Sequence, residues 1–268
     1  MSRLCAVYGV TRAGYYAWQR RMENAHAEQD RQLTEHITRL FHQHRGCYGS
    51  PRIYRDLRAQ GWRVSRRRVE RLMRAAGLRA RVVRIYRANP ALHRFYGQHP
   101  NRVGRLRAAR PNEIWVGDVT YLRVGRQWRF LAVVLDQCSR RVLAWSVGCR
   151  RDSQLTCSVL NAAARRRRPE QGVIFHSDRG SEYVSAAFRT RVAKLGMQQS
   201  STQRGPGDNA HVESFFHSMK AELIHGAYFN SEAALREAVA GYIQYYNRFR
   251  RHSALGYCSP IDFETREA

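Results

Sequence analysis

Residues 113–148, EIWVGDVTYLRVGRQWRFLAVVLDQCSRRVLAWSVG, decide the fold. Three β-rich runs stand here in succession: EIWVGDVTYLRV, WRFLAVVLD and RVLAWSVG. The short polar turns between them predict an antiparallel meander. One feature breaks the apolar texture. Asp118 lies in mid-strand, in phase with Ile114, Val116 and Thr120, where a charge is expensive unless it is paired or bound to a metal. Asp136, at the end of the second run, reads as a turn residue.

Downstream, SQLTCSVLNAAARRRR reads as a helix with Leu155 and Val159 inward, and GVIFHSD as a fourth strand. SAAFRTRVAKLG is a helix stopped by Gly196, MQQSS a fifth strand, and DNAHVESFFHSMKAELI a long helix with Asp208 as its cap. The order βββαβαβα is that of an RNase H-like core, an α/β fold with a five-stranded mixed sheet flanked by helices. A further amphipathic helix covers 231–248, with Leu235, Val239, Tyr242 and Tyr246 on its apolar side.

Upstream, residues 1–85 read as helical. Ser50 before Pro51 caps one helix, closed by Gly61. Ser65 caps another, with Val69, Leu72 and Met73 on one stripe and Gly77 past its end. The pair outlines a helix-turn-helix. The second helix carries Arg66, Arg67, Arg68, Arg71 and Arg74 off its apolar stripe. Pattern alone allows a solvated hairpin, but from Trp62 to Arg110 there are 15 Arg and a single acid, Glu70, and a merely solvated face mixes signs. Phosphate contact is the reading that fits. The expected division is a helix-turn-helix region over 1–85, a basic linker over 86–111, a catalytic core over 112–225 and a helical extension over 226–268.

Whole-chain numbers agree. Lys plus Arg is 47 against 21 acids, a net charge of +26 over 268 residues, an excess that an anionic polymer such as nucleic acid would neutralise. No apolar run approaches the ~20 residues of a membrane span, and MSRLCAVYGVTRAGYYAW has no secretory pattern. A cytoplasmic, nucleoid-associated protein is expected. Six scattered cysteines without a CxxC pair read as reduced. His42, His44 and Cys47 lie close together, but in no common zinc spacing.

Phosphoryl transfer to DNA calls for two or three acids converging from separate elements around hard divalent ions. Asp118 is one candidate. Asp178 ends the strand VIFHSD, although an Asp before Arg179-Gly180 also suits a turn. Glu213 lies at the margin of the stripe Val212, Phe216, Met219 and Leu223, and Lys220 falls above it on the same helix face. His176 shares the strand face of Asp178 and reads equally as a DNA-orienting or a structural histidine. Glu182, Glu222 and Asp152 read as surface acids.

These residues resemble the DDE transposases of bacterial insertion sequences, and among them the integrase-core protein (OrfB) of the insertion-sequence-three family. WVGDVTY (115–121), HSDRGSEY (176–183), DNAHVESFF (208–216) followed by Lys220, and Tyr245-Tyr246-Asn247 with Arg251, His252 and Ser259-Pro260 carry the resemblance. GVTR (9–12) with Gly14-Tyr15-Tyr16, and YGSPRI (48–53), extend it upstream. It implies Asp118, Asp178 and Glu213 as ligands of Mg²⁺, with Mn²⁺ as a substitute, and Lys220 as a contact to the element end. It further implies double-stranded DNA as substrate, a homo-oligomer on DNA, and partnership or fusion with the upstream reading-frame protein. Between Asp178 and Glu213 the chain is one residue shorter than that family's usual pattern, in the loop 204–207, and position 179 is Arg where the family often has Gln. The competing expectations are an RNase H-like nuclease that cuts without joining, and a decayed DNA-binding regulator.

Overall fold

A computed structural model describes residues 5, 7–19, 25–81, 101–104, 106–202 and 209–267. Asp208, the loop 204–207 and most of the basic linker fall outside the described residues. The chain forms two compact units, Met1–Arg81 and Val82–Ala268.

The first unit contains α1 (Arg12–Gln19), α2 (Ala25–Gln43), α3 (Ser50–Ala59) and α4 (Arg66–Ala75). Leu33, Ile37 and Leu40 of α2 close on Ile53 and Leu57 of α3 and on Val69, Leu72 and Met73 of α4. The α4 start is as expected, with Ser65 Oγ accepting from the Arg68 N–H at 3.2 Å. At α3 the cap moves back one residue: Gly49 holds the extended cap position, Ser50 is already helical, and Pro51 sits in the first turn. Between the two helices Gly61 has φ +87°, a conformation that suits a residue without Cβ. His44 is buried and faces an acid. It lies 2.9 Å from Asp56 and stacks on Tyr48 at 3.8 Å.

The second unit is built on β1 (Ile114–Val124), β2 (Gln127–Asp136), β3 (Val142–Gly148), β4 (Ile174–Ser177) and β5 (Gln198–Ser201). The sheet order is β3-β2-β1-β4-β5. β1 and β3 run antiparallel to β2, while β4 runs parallel to β1 and β5. α5 (Ser153–Arg167), the one-turn α6 (Ser181–Val184) and α7 (Ala186–Lys194) follow in sequence. After them come α8 (Ala210–Met219), α9 (Glu232–Arg248) and α10 (Pro260–Glu267).

Strand alternation divides the core in two. Trp115, Val119, Ala132 and Val134 face α5 and α7. Ile114, Val116, Leu131 and Val133 face α8 and α9. Residues 226–248 thus add Leu235, Val239 and Tyr242 to the same apolar layer as β1. Asn247 does at the sheet edge what a further strand would do. Its amide oxygen accepts from the Val142 N–H at 2.9 Å, and its amide nitrogen donates to the Val142 carbonyl at 2.9 Å. Asp136 is fully buried and accepts from the backbone N–H groups of Asn112, Cys138 and Ser139 at 2.7, 3.0 and 2.9 Å, so it makes the expected turn and also staples the chain entering β1.

At Gly117 the Phe175 side chain of β4 fills the space beside the backbone of β1. A Cβ there would lie 2.5 Å from the ring of Phe175, which is fully buried and has nowhere to move. Gly117→Ala should therefore cost about 1–3 kcal/mol through overpacking, read as a lower urea midpoint. Adding Phe175→Leu should restore part of the loss. An unchanged midpoint in the single variant would contradict the packing described.

Candidate active site

Asp118 comes from the middle of β1, immediately beyond the last residue that β4 accompanies, since their pairing covers only Ile114–Gly117. The Val119 N–H donates to its Oδ1 at 2.7 Å. Asp178 follows β4, and the Gly180 N–H donates to its Oδ1 at 3.0 Å. Glu213 lies in the first turn of α8, whose buried face is Val212, Phe215, Phe216 and Met219. That helix is tied to β1 by Asn209, whose amide donates to the Gly117 carbonyl at 3.3 Å. One turn later the Glu213 N–H donates to the Asn209 carbonyl at 3.2 Å. The backbone next to one acid thus positions the helix that carries another.

The three carboxyls lie within one another's field. Burial, followed by the charge of Asp178 and then that of Glu213, pushes Asp118 up to about 8. Asp178 is raised by burial, with Glu182 adding to the rise. Glu213, on the exposed side of α8, is raised by partial burial and by Asp178. Arg151 is the nearby counter-charge, with its guanidinium 2.6 Å from Glu182 and 3.6 Å from Asp178. Burial lowers Lys220 while the charge of Asp118 opposes that shift. Its ammonium rests 4.8 Å from the centre of the Tyr121 ring.

Among the described residues, no three His, Cys, Asp or Glu side chains are gathered tightly enough to cage a metal ion. The donor set nevertheless fits magnesium, which binds through one or two carboxylates and completes its shell with water and substrate phosphate.

Several sequence expectations change. Glu182 is not a surface acid: it is 2% exposed, and the partly exposed guanidinium of Arg151 reaches it at 2.6 Å. Glu222 is also buried, held by Arg250 at 2.7 Å and by the Tyr242 hydroxyl at 3.0 Å. It lies in a π-turn, Lys220–Ile224, that continues α8. Asp152 caps α5, accepting from the Leu155 N–H at 3.0 Å. His176 is fully buried, with Nδ1 2.9 Å from Ser200 Oγ and Nε2 3.4 Å from Thr202 Oγ1, which makes it structural. Sequence reasoning missed Arg151 and Asn209. Asn209 had a signal in its place beside the expected cap, and Arg151 had none among so many arginines.

In the first unit, Arg68 and Arg71 are held by Asp30 of α2 at 2.7 and 2.6 Å, and Arg74 by Glu70 at 3.3 Å. Arg66 and Arg67 are exposed.

Comparison with known proteins agrees with this architecture. The integrase core domain family matches residues 108–206, a second integrase core domain family matches 195–260, and an HTH-like domain family matches 28–86. The transposase InsF for insertion sequence IS3A of Escherichia coli (strain K12) is 40% identical over 271 residues, spanning 98% of this chain and 93% of that protein. The transposase for insertion sequence element IS904 of Lactococcus lactis subsp. lactis (strain IL1403) is 36% identical over 240 residues, 87% of this chain and 93% of the relative. In fold, the chain is similar to a chain of the simian T-cell lymphotropic virus intasome solved with the PP2A regulatory subunit B56 gamma. The TM-score is 0.52 at 18% identity, covering 75% of this chain and 67% of the other.

A raised carboxyl favours the fold at low pH and weakens it as pH climbs. The contribution of Asp118 is fully present below about pH 4 and is lost progressively as pH rises to its folded value of about 8. Asp118→Asn removes that penalty. Without metal, the variant should match the wild type near pH 4 and exceed it by about 2 kcal/mol near pH 8, a figure reduced because water still screens the half-buried carboxyl. Thermal melts across that range test this, and a variant less stable than the wild type at pH 8 would refute it.

Proposed function

The chain belongs to the IS3 family of insertion-sequence transposases, and from that membership we propose that Asp118, Asp178 and Glu213 are its catalytic acids. The enzyme is a DDE transposase that cuts and joins DNA strands. What supports the assignment of residues is the convergence of three carboxyls from β1, the end of β4 and α8: Asp178 and Glu213 both raise Asp118, and Asp178 raises Glu213. Structural acids are normally paired with cations rather than with each other.

Magnesium, with manganese as a substitute, would be held by these carboxylates and would supply the charge that activates the attacking oxygen and stabilises the leaving one. Asp118 is raised by burial and by the neighbouring acids, and it must be deprotonated to act as a ligand, so metal binding would release its proton. Arg151 fixes Asp178 and Glu182 relative to each other. Lys220, steered by Tyr121, faces a phosphate of the element end. Water attacks the phosphodiester at that end and frees a 3′-hydroxyl, which then attacks a second phosphodiester in line. The protein forms no covalent bond to DNA, and no Ser or Tyr nucleophile takes part.

In this reading residues 1–85 hold DNA, 86–111 tether and contact phosphates, 112–225 carry the chemistry, and 226–268 support it. Arg66, Arg67, Arg68, Arg71 and Arg74 present the binding face of α4, with Arg68 and Arg71 pre-oriented by Asp30. The working form is a homo-oligomer on DNA, acting with or fused to the upstream reading-frame protein. No helix among the described residues is long and apolar enough to cross a membrane, and we place the protein in the cytoplasm with the nucleoid.

Oligonucleotides carrying the element's own ends, incubated with Mg²⁺, should be cut and joined to target DNA. Asp118→Asn, Asp178→Asn and Glu213→Gln should each lower joining by about 10³-fold or more with duplex binding kept, and chelation should abolish it. Cutting without joining would instead indicate a nuclease. Unchanged products from Asp118→Asn would remove the acids from catalysis.

Replacing Arg66 and Arg67 together by Ala should reduce the slope of log K against log salt by about 2, near 0.9 per phosphate contact. An unaltered slope would take these two residues off the DNA.

A further inference from the structure

The far end of the β1–β2 hairpin carries aromatic surface that the fold leaves uncovered. Tyr121 and Trp128 are 59% and 52% exposed. Their rings meet edge to face at 5.3 Å and 89°. The strand register places Tyr121 opposite Phe130 and Trp128 opposite Arg123, so the two rings form a diagonal pair. Each ring also has a cation over it, with Lys220 at 4.8 Å from Tyr121 and Arg123 at 5.8 Å from Trp128. Arg126, at the hairpin tip, is exposed beside them.

Single exposed apolar residues need no explanation, but a pair of rings ringed by cations does. The location matters too. Tyr121 is three residues from Asp118 on the same strand, about 10 Å along it and, by alternation, on the opposite face, where the Lys220 ammonium still reaches its ring at 4.8 Å. Over that stretch β4 no longer covers the β1 edge.

Aromatic faces combined with positive charge are how proteins hold unpaired nucleic acid: the base stacks while cations take the backbone. A base stacked inside a duplex offers no free face, and a ring pair set on a sheet face suits a single base that has left its stack. The geometry points to a nucleobase platform, in which Tyr121 and Trp128 stack an unpaired base of the strand being cut while Lys220 and Arg123 take its flanking phosphates. This rests on the reading of the three acids as the cutting site and adds what holds the strand open beside them. Opening terminal pairs is uphill, and stacking offsets it.

The test uses the full chain without divalent metal, so that DNA stays intact. Three ligands are compared: a blunt duplex end, the same end with three unpaired terminal bases, and that end with the unpaired positions abasic. Trp128→Ala should weaken binding to the unpaired end about tenfold and leave the blunt and abasic ends unchanged. Trp128→Phe should stay within about twofold of the wild type, because the face for stacking remains. Tyr121→Phe, which keeps the ring, should likewise stay within about twofold of the wild type on all three ligands. Equal losses on all three ligands, or no loss on the unpaired end, would overturn the platform. So would unchanged binding accompanied by a change in oligomeric state on size exclusion, which would make the pair a protein contact. The Asp118→Asn joining assay is independent of these outcomes: retained joining there would sink the catalytic reading, whatever Trp128 does.

Discussion

Repulsion among three carboxyl groups is the constraint around which the second unit is organised. Each acid comes from a different element, and bringing them near one another out of bulk water opposes folding. The surroundings hold them in place without discharging them. Backbone N–H groups of Val119 and Gly180 fix the orientation of Asp118 and Asp178, and Asn209 fastens the helix carrying Glu213 to the Gly117 carbonyl. The closest guanidinium, that of Arg151, pairs most tightly with Glu182. What remains is a site poised for positive charge supplied from outside the chain.

The two faces of the sheet share this burden unequally. The side covered by α5 and α7 is an ordinary apolar layer of Trp115, Phe175, Phe188 and their neighbours. The side covered by α8 and α9 combines an apolar layer with buried polar ties: Asn247 on Val142, Tyr242 and Arg250 on Glu222, and Arg250 on Ser218 at 3.0 Å. Buried ion pairs contribute little net stability, and their best-attested use is to specify one arrangement over others. Here they specify the angle and phase of the helix that bears Glu213 and Lys220.

Much of this was legible in the sequence because the signals were local. Alternation over 113–148 gave the meander, Ser65 and the apolar stripe after it gave α4, and Asp118 stood out as a charge in an apolar strand. What was not legible depended on partners distant in sequence. Glu182 and Glu222 carry no mark that separates them from surface acids, since the arginines that pair with them, Arg151 and Arg250, are 31 and 28 residues away. In the same way Arg68 and Arg71 looked uncommitted until Asp30, 38 and 41 residues upstream, came beside them. The one-residue move of the α3 cap from Ser50 to Gly49 is the ordinary ambiguity of a helix start where both residues suit the position.

The Glu222–Arg250 pair also bears on when during synthesis the enzyme can become competent. Glu222 lies in the π-turn that continues α8, yet the guanidinium that pairs with it is 28 residues further along. Until that arginine is made, burying Glu222 requires a proton in place of its counter-ion, which disfavours seating the end of α8 against the sheet. A polypeptide ending before residue 250 would therefore hold Asp118, Asp178 and Glu213 with the segment after α8 less firmly seated.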